Sequence, residues 1–267
     1  MFDIVDFNNV LNNLKQNNKK IITNSFLTSN ELRNLAIKNN SFFYYNNKSI
    51  IIVYEDNNVN RVIFYLTSFA NIKFLNDLIN MVSIRPLIID CVGKECQIRE
   101  FEKYFSIIDI KVYTTMSRWR TSVIKNIDKI TSSDMLKIAE INDLEEIYQL
   151  LMMVFDPYVS HLPNKEKLYA LIKNKLVFCA YSESKLVSTV CLERVGKTGI
   201  YVYQDAVLEK YRSTGIGIYL VLYALSYYKD STTFTSWTED KNKSSNRMHN
   251  FLGFEHDGLK NIVFIYK

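Results

Sequence analysis

Twice along the chain the same order of apolar patterns recurs, and no other feature restricts the fold as strongly. In the first half, Thr28-Ser29-Asn30-Glu31 offers a capping-type start to a helix through about residue 38. β-Branched and aromatic runs follow at 41–45, 48–55 and 60–68, and Asp56-Asn57-Asn58 turns the second into the third as a hairpin. Next come helical spacing at 71–82 (Ile72, Leu75, Leu78, Ile79), a strand at 86–92, a helix at 95–105 and a strand at 109–119. Residues 2–20, rich in Asn and Lys with Val5, Leu11 and Leu14 as anchors, predict a weak helix at best.

The second half repeats that order. A short strand at 135–140 leads into an amphipathic helix at 143–155 (Leu144, Ile147, Leu150, Leu151, Val154), with Asn142 as its cap. A helix at 165–174 and strands at 176–181, 186–195 and 200–208 come next. A long apolar helix at 214–228, a strand at 232–237, a helix at 244–252 and a closing strand at 262–266 complete it. At 267 residues and 48% apolar the chain can bury two cores. Thr121, Ser122, Asn126, Thr131 and Ser132 interrupt the apolar pattern, so the seam is expected between Arg120 and Ser133. The fold class is α/β with mixed sheet, divided into domains 1–125 and 131–267.

Glycine is scarce, with 7 residues, six of them after residue 195. Gly215 and Gly217 fall at the first turn of the apolar helix that follows the strand at 200–208. Glycine costs roughly 0.5–1 kcal/mol against alanine inside a helix, so two together need a reason. At a helix start the amides lack intrahelical partners and the dipole is positive, and removing side chains there lets a phosphate approach. Arg212 adds a charge with bidentate reach. Close helix–sheet packing without a ligand is the alternative explanation of the same spacing.

These residues resemble the GNAT superfamily of N-acetyltransferases, whose acyl-CoA loop is (Gln/Arg)-x-x-Gly-x-(Gly/Ala). Here the run is Val207-Leu208-Glu209-Lys210-Tyr211-Arg212-Ser213-Thr214-Gly215-Ile216-Gly217. A second family block, Asn-x-x-Ala-x-x-x-Tyr-x-x-x-Gly-Phe, has its counterpart in register in the stretch from Asn242 through Ser245 and His249 to Gly253-Phe254. The resemblance implies a tandem GNAT-like fold and an acetyl-CoA co-substrate lying between the strands that end at Val207 and Trp237. It implies pyrophosphate on the amides of Ser213, Thr214, Gly215, Ile216, Gly217 and Ile218, with Arg212 beside them. The backbone of Ala206 and Val207 would pair with the pantetheine arm, and Asn242 would touch that arm or its carbonyl.

The family's usual Tyr, often assigned to protonate the departing thiolate, is His249 here. A histidine near pKa ~6.5 can serve as that acid, or pack beside the cofactor with no such role. An alkylamine acceptor of pKa ~10.4 is neutral in only about one molecule in 2,500 at pH 7, a cost of roughly 4.6 kcal/mol, so a base is expected. Glu193 and Asp205 are the candidates, and alternation puts Asp205 on one face with Tyr203 and Val207.

The first half shows Phe101-Glu102-Lys103-Tyr104-Phe105 and a strand ending Met116-Ser117-Arg118-Trp119, similar to the last helix and strand of a GNAT unit. It has no Arg-x-x-Gly-x-Gly: Ser68-Phe69-Ala70-Asn71 stands at the corresponding helix start. The expectation is a degenerate unit that lacks the CoA loop, binds no CoA in the usual way and shapes the acceptor site. An unrelated α/β domain is the alternative.

Other classes are disfavoured. The net charge of +5 sits wholly in residues 1–130, spread without the basic stripe and interleaved aromatics of a nucleic-acid surface. Cys91, Cys96, Cys179 and Cys191 have no CxxC spacing and are expected as buried free thiols, and the three histidines form no metal cluster. No apolar run reaches membrane-spanning length, and acids at Asp3 and Asp6 disfavour a signal peptide, so a cytoplasmic protein is expected. The leading expectation is an N-acetyltransferase that moves acetyl from acetyl-CoA to a primary amine of a small molecule, amino sugar or peptide, by direct transfer in a ternary complex. A non-catalytic acyl-CoA sensor or scaffold, and transfer of another acyl group, are the competing readings.

Overall fold

The computed structural model describes residues 4–16, 18, 20–25, 27–38, 41–81, 86–129 and 134–267. The expected end of the third helix at Val82, and the part of the expected seam at 130–133, lie outside the described residues. The chain divides into one unit of Met1–Thr115 with Lys260–Lys267 and another of Met116–Leu259.

The first unit contains α1 (Ile4–Gln16), β1 (Ile22–Thr23), α2 (Ser29–Lys38), β2 (Phe42–Tyr45), β3 (Ser49–Asp56), β4 (Val59–Leu66), α3 (Ile72–Met81), β5 (Leu87–Lys94), α4 (Glu95–Phe105) and the start of β6 (Lys111–Thr121). The hairpin of β3 and β4 is as the sequence predicts, and Asn57 and Asn58 both take positive φ at its turn. Asparagine tolerates that conformation better than most residues, and two such residues match the twist of the strands. Period-two alternation then feeds two cores. Ile51, Val53, Val62, Phe64 and Leu66 pack with Ile72, Leu75, Phe101 and Phe105, while Ile50, Ile52, Ile63 and Tyr65 pack with Phe7, Leu11, Leu14 and Leu32. Phe7, Leu11 and Leu14 share one face of α1, so that helix is anchored by tertiary burial that its Asn-rich composition hides.

The second unit contains β7 (Leu136–Ile138), α5 (Leu144–Val154), α6 (Lys165–Lys173), β8 (Val177–Ser182), β9 (Lys185–Val195), β10 (Gly199–Val207), α7 (Ile216–Ser226), β11 (Thr233–Glu239), α8 (Lys243–Phe251) and the start of β12 (Glu255–Tyr266). Its strands run β6-β11-β10-β9-β8-β7, with only the β10–β11 pair parallel in that series. The core gathers Ile147, Leu150 and Leu151 of α5, Leu168 and Ile172 of α6, and Leu220, Val221 and Leu225 of α7 against the central strands.

Three differences from the sequence reading have physical causes. The two units divide within β6 and within β12, because Met116–Thr121 pairs antiparallel with β11 and the last eight residues belong to the first unit. β12 begins at Glu255, seven residues before the expected start, since its exposed opening Glu255-His256-Asp257-Gly258 lacks an apolar pattern. Cys91, Cys179 and Cys191 are buried, but Cys96 is exposed, in the first turn of α4 away from its buried face of Ile98, Phe101 and Phe105. Among the described residues no helix is long and apolar enough to cross a membrane, and no three His, Cys, Asp or Glu side chains gather as a metal site.

Candidate active site

The parallel pairing of β10 with β11 runs from Gly199↔Thr233 to Val202↔Ser236 and goes no further. Beyond it, Tyr203–Val207 and Trp237–Glu239 are strands without a ladder between them. A register shift against β9 falls between Val202 and Gln204, so Tyr203 is an extra residue in β10. Such a bulge bends its strand and raises the local twist, which turns β10 away from β11. Leu208 N–H donates to Val187 O and Ala206 O accepts from the Ser188 hydroxyl, at 2.9 and 2.8 Å. In an antiparallel ladder alternate residues face alternate neighbours. The backbone groups of Ala206 and Leu208 therefore point to β9, and those of Asp205 and Val207 point to the open side. Of these two expected site residues, Val207 turns its backbone to the open side and Ala206 turns its backbone to β9.

At the end of β10 the chain makes one 3-10 turn (Glu209–Tyr211) and enters α7 through Gly215. Gly215 takes φ +87°, a left-handed conformation that costs other L-residues energy. A Cβ on Gly217 would stand 2.9 Å from Val207 Cγ2, so the helix lies closer to the strand than alanine allows without movement. Both glycines thus have a packing or backbone reason, and those same reasons leave the turn bare. Thr214 Oγ1 donates to Tyr211 O and accepts from Ile216 N–H at 3.4 Å. The amides of Ser213, Gly215, Gly217 and Ile218 have no hydrogen-bond partner among the described residues, and Ser213 itself holds φ +67°. Arg212 is exposed and its Nε reaches Val207 O at 3.3 Å, which ties the guanidinium to the mouth of the gap. Unpaired amides, a positive helix end and a guanidinium form a site that suits an anionic group.

The two candidate acids part company. Tyr201 stands opposite Glu193, whereas past the bulge Asp205 stands opposite Val190. Residues 190 and 193 of β9 face opposite ways, so Glu193 and Asp205 lie on different faces of the sheet. The bulge also removes Tyr203 from the face of Asp205: its ring lies 5.8 Å from that of Tyr201 and under the Lys167 ammonium at 4.0 Å. Glu193 is held by Lys167, whose Nζ sits 2.5 Å from Oε1 yet outside hydrogen-bond geometry. The Tyr203 hydroxyl donates to His161 O, so this cluster pins the loop between α5 and α6. Asp205 has no ion-pair partner among the described residues, and burial pushes its carboxyl up to about 7 against the restraining effect of its own amide. A carboxylate poised there can accept a proton near neutrality.

His249 is 2% exposed, and burial pushes its imidazole down to about 4. Its Nδ1 lies 2.8 Å from Ser245 O, which can only accept, so the ring N–H is spent on the helix backbone. Trp119 and Phe254 flank the ring at 5.5 and 5.2 Å. Of the two roles open to His249, proton donor or packed neighbour, its buried and hydrogen-bonded ring fits the second. Asn242 caps α8, its Oδ1 accepting from Ser245 N–H at 3.1 Å, which leaves only its amide nitrogen for a ligand. Alternation alone does not reveal the bulge at Tyr203, whereas the pair Ser188-Thr189 inside the apolar run of β9 signals the Ser188 hydroxyl, since buried hydroxyls need partners.

Residues 144–254 match the acetyltransferase (GNAT) family. A GNAT-family acetyltransferase structure from Colwellia psychrerythraea is similar at TM-score 0.57 and 14% identity, over 93% of this chain and 100% of that one. A GCN5-related N-acetyltransferase from Kribbella flavida gives 0.56 and 12%, over 88% and 91%. A tandem GNAT protein from the clavulanic acid biosynthesis pathway gives 0.55 and 10%, over 82% and 78%. At such identities these structures show the fold alone. No curated protein matches the sequence.

Proposed function

Taking as premise that residues 144–254 form a GNAT-family acetyltransferase domain, we propose that the second unit moves acetyl from acetyl-CoA to a primary amine by direct transfer in a ternary complex. The observation that carries the reading is the stretch of β10 left unpaired on its β11 side, beside four unpartnered amides at the start of α7. Arg212 and the unpartnered amides of Ser213, Gly215, Gly217 and Ile218 would hold the pyrophosphate, and the β11-facing backbone of Val207 would hold the arm that follows it. Acetyl-CoA supplies an activated thioester, so the chain's remaining task is to prepare the amine. Asp205 is assigned as the base. Its carboxyl at about 7 takes the ammonium proton, directly or through water, and offsets part of the roughly 4.6 kcal/mol of deprotonating an alkylamine. Glu193, held by Lys167 on the other face, is assigned to the loop and not to the proton. The thiolate leaves without help from His249, and a thiol of pKa ~8.5 on the cysteine scale is a fair leaving group. A cytoplasmic location remains part of the proposal.

The test is thiol release from acetyl-CoA across a panel of primary amines, with wild type and Gly215→Asp. Release should depend on the amine and vanish in the variant, whose carboxylate enters the anion site. CoA binding with no amine-dependent release would identify a binding module instead.

A further inference from the structure

We infer that the equivalent gap in the first unit is closed by the chain itself, with segment 22–25 as the occupant and Asn24 as its latch; the comparison rests on reading the β10–β11 gap as the acyl-CoA cleft. In the first unit the parallel strands are β4 and β5, and they pair only at Asn60↔Leu87 and Arg61↔Ile88. Beyond those residues they too part. Here, however, β1 pairs antiparallel with β4 at Ile22↔Leu66 and Thr23↔Tyr65, on the edge that β3 leaves free. One residue later, Asn24 spans the gap. Its Nδ2 donates to Val62 O of β4 at 2.8 Å and to Asp90 O of β5 at 3.0 Å, and its Oδ1 accepts from Phe64 N–H at 2.8 Å. Ser25 N–H then turns back onto Thr23 Oγ1 at 3.0 Å. A carboxamide and two residues of extended backbone thus satisfy the strand edge that the second unit leaves open.

At the helix start beside this gap, Asn71 N–H donates to Ser68 O at 3.1 Å and Ile72 N–H to Phe69 O. Asn71 Nδ2 donates to Thr67 Oγ1 and Ser68 Oγ at 2.9 and 3.1 Å, and no glycine bares the turn. Below the latch, the gap's floor is the buried Arg61, bound to Asp56 and Asp90 at 2.9 and 2.7 Å. The first unit is therefore a closed companion in which an internal strand takes the place of a ligand.

Two measurements on the full chain test this. Calorimetric titration with CoA should give one equivalent per wild-type chain and none for Gly215→Asp; two equivalents per wild-type chain, of which one survives Gly215→Asp, would overturn the closed gap. Hydrogen exchange should show protection across residues 22–25 and 62–66 in the free protein. Asn24→Ala should speed exchange at Phe64 at least tenfold while peptides from β9 and β10 stay unchanged. Exchange of 22–25 at the rate of unstructured chain, or an unchanged rate at Phe64 in the variant, would also overturn it. A wild-type chain that bound no CoA but kept 22–25 protected would count against the proposed function and support the closure.

Discussion

The two units treat one topological accident in opposite ways. In each, a pair of parallel strands separates after a short ladder, at Arg61/Ile88 in the first and Val202/Ser236 in the second. The first fills the breach with β1 and Asn24 and places a charged cluster at its root. The second leaves strand edge and helix amides bare and places a half-buried carboxylate nearby. Unpaired backbone groups away from water cost free energy, so a gap persists only where solvent or a ligand can reach it. Filling gives stability, and an opening leaves room for binding.

Breaking the first side of the comparison should have the largest effect. Arg61→Met removes the buried guanidinium that binds Asp56 and Asp90 and should cost about 3–5 kcal/mol, read as a shift of the denaturation midpoint. On the open side, Asp205→Asn should lower kcat/KM by about 10²–10⁴-fold and remove the limb of the pH–rate profile near 7, where wild-type activity rises as the carboxyl deprotonates. The same change has a stability signature. Because the folded carboxyl sits above its ordinary 3.8, wild type loses stability as pH rises from there to about 7. Asp205→Asn should therefore raise the thermal midpoint at pH 8 and hardly at all at pH 3.5. Removing the latch by Asn24→Ala should cost about 1–3 kcal/mol, since it strands Phe64 N–H and two carbonyls. His249→Phe should move the pH–rate profile least of all. A limb lost between pH 6 and 9 in that variant would return His249 to the chemistry. Wild-type stability, for its part, should fall as pH drops from 6.5 towards 4, where the buried imidazole must charge.

Local pattern made most of the elements legible. The hairpin at Asn57-Asn58, the helix of Glu95–Phe105 and the loop ending at Gly217 each follow from residues within one or two turns of one another. Illegible features depended on distant partners. Ile22-Thr23 is too short to signal a strand and becomes one only because Tyr65 and Leu66 offer an edge. Tyr203 reads as one more alternating residue until its pairing with β9 slips, and that slip decides which face Asp205 occupies. His249 occupies a motif position associated with acid chemistry, yet its proton depends on Trp119, from the far end of β6, and on Ser245 one turn away.

Sequence alone determined the order of elements, the bare glycine turn after Val207 and its absence after Leu66, because each is written in a local run of side chains. Only the tertiary structure decided that one gap is filled and the other free, that Glu193 is neutralised by Lys167 while Asp205 is not, and that His249 is uncharged at pH 7. Burial and strand register are sums over residues far apart in the chain, and no short segment carries them.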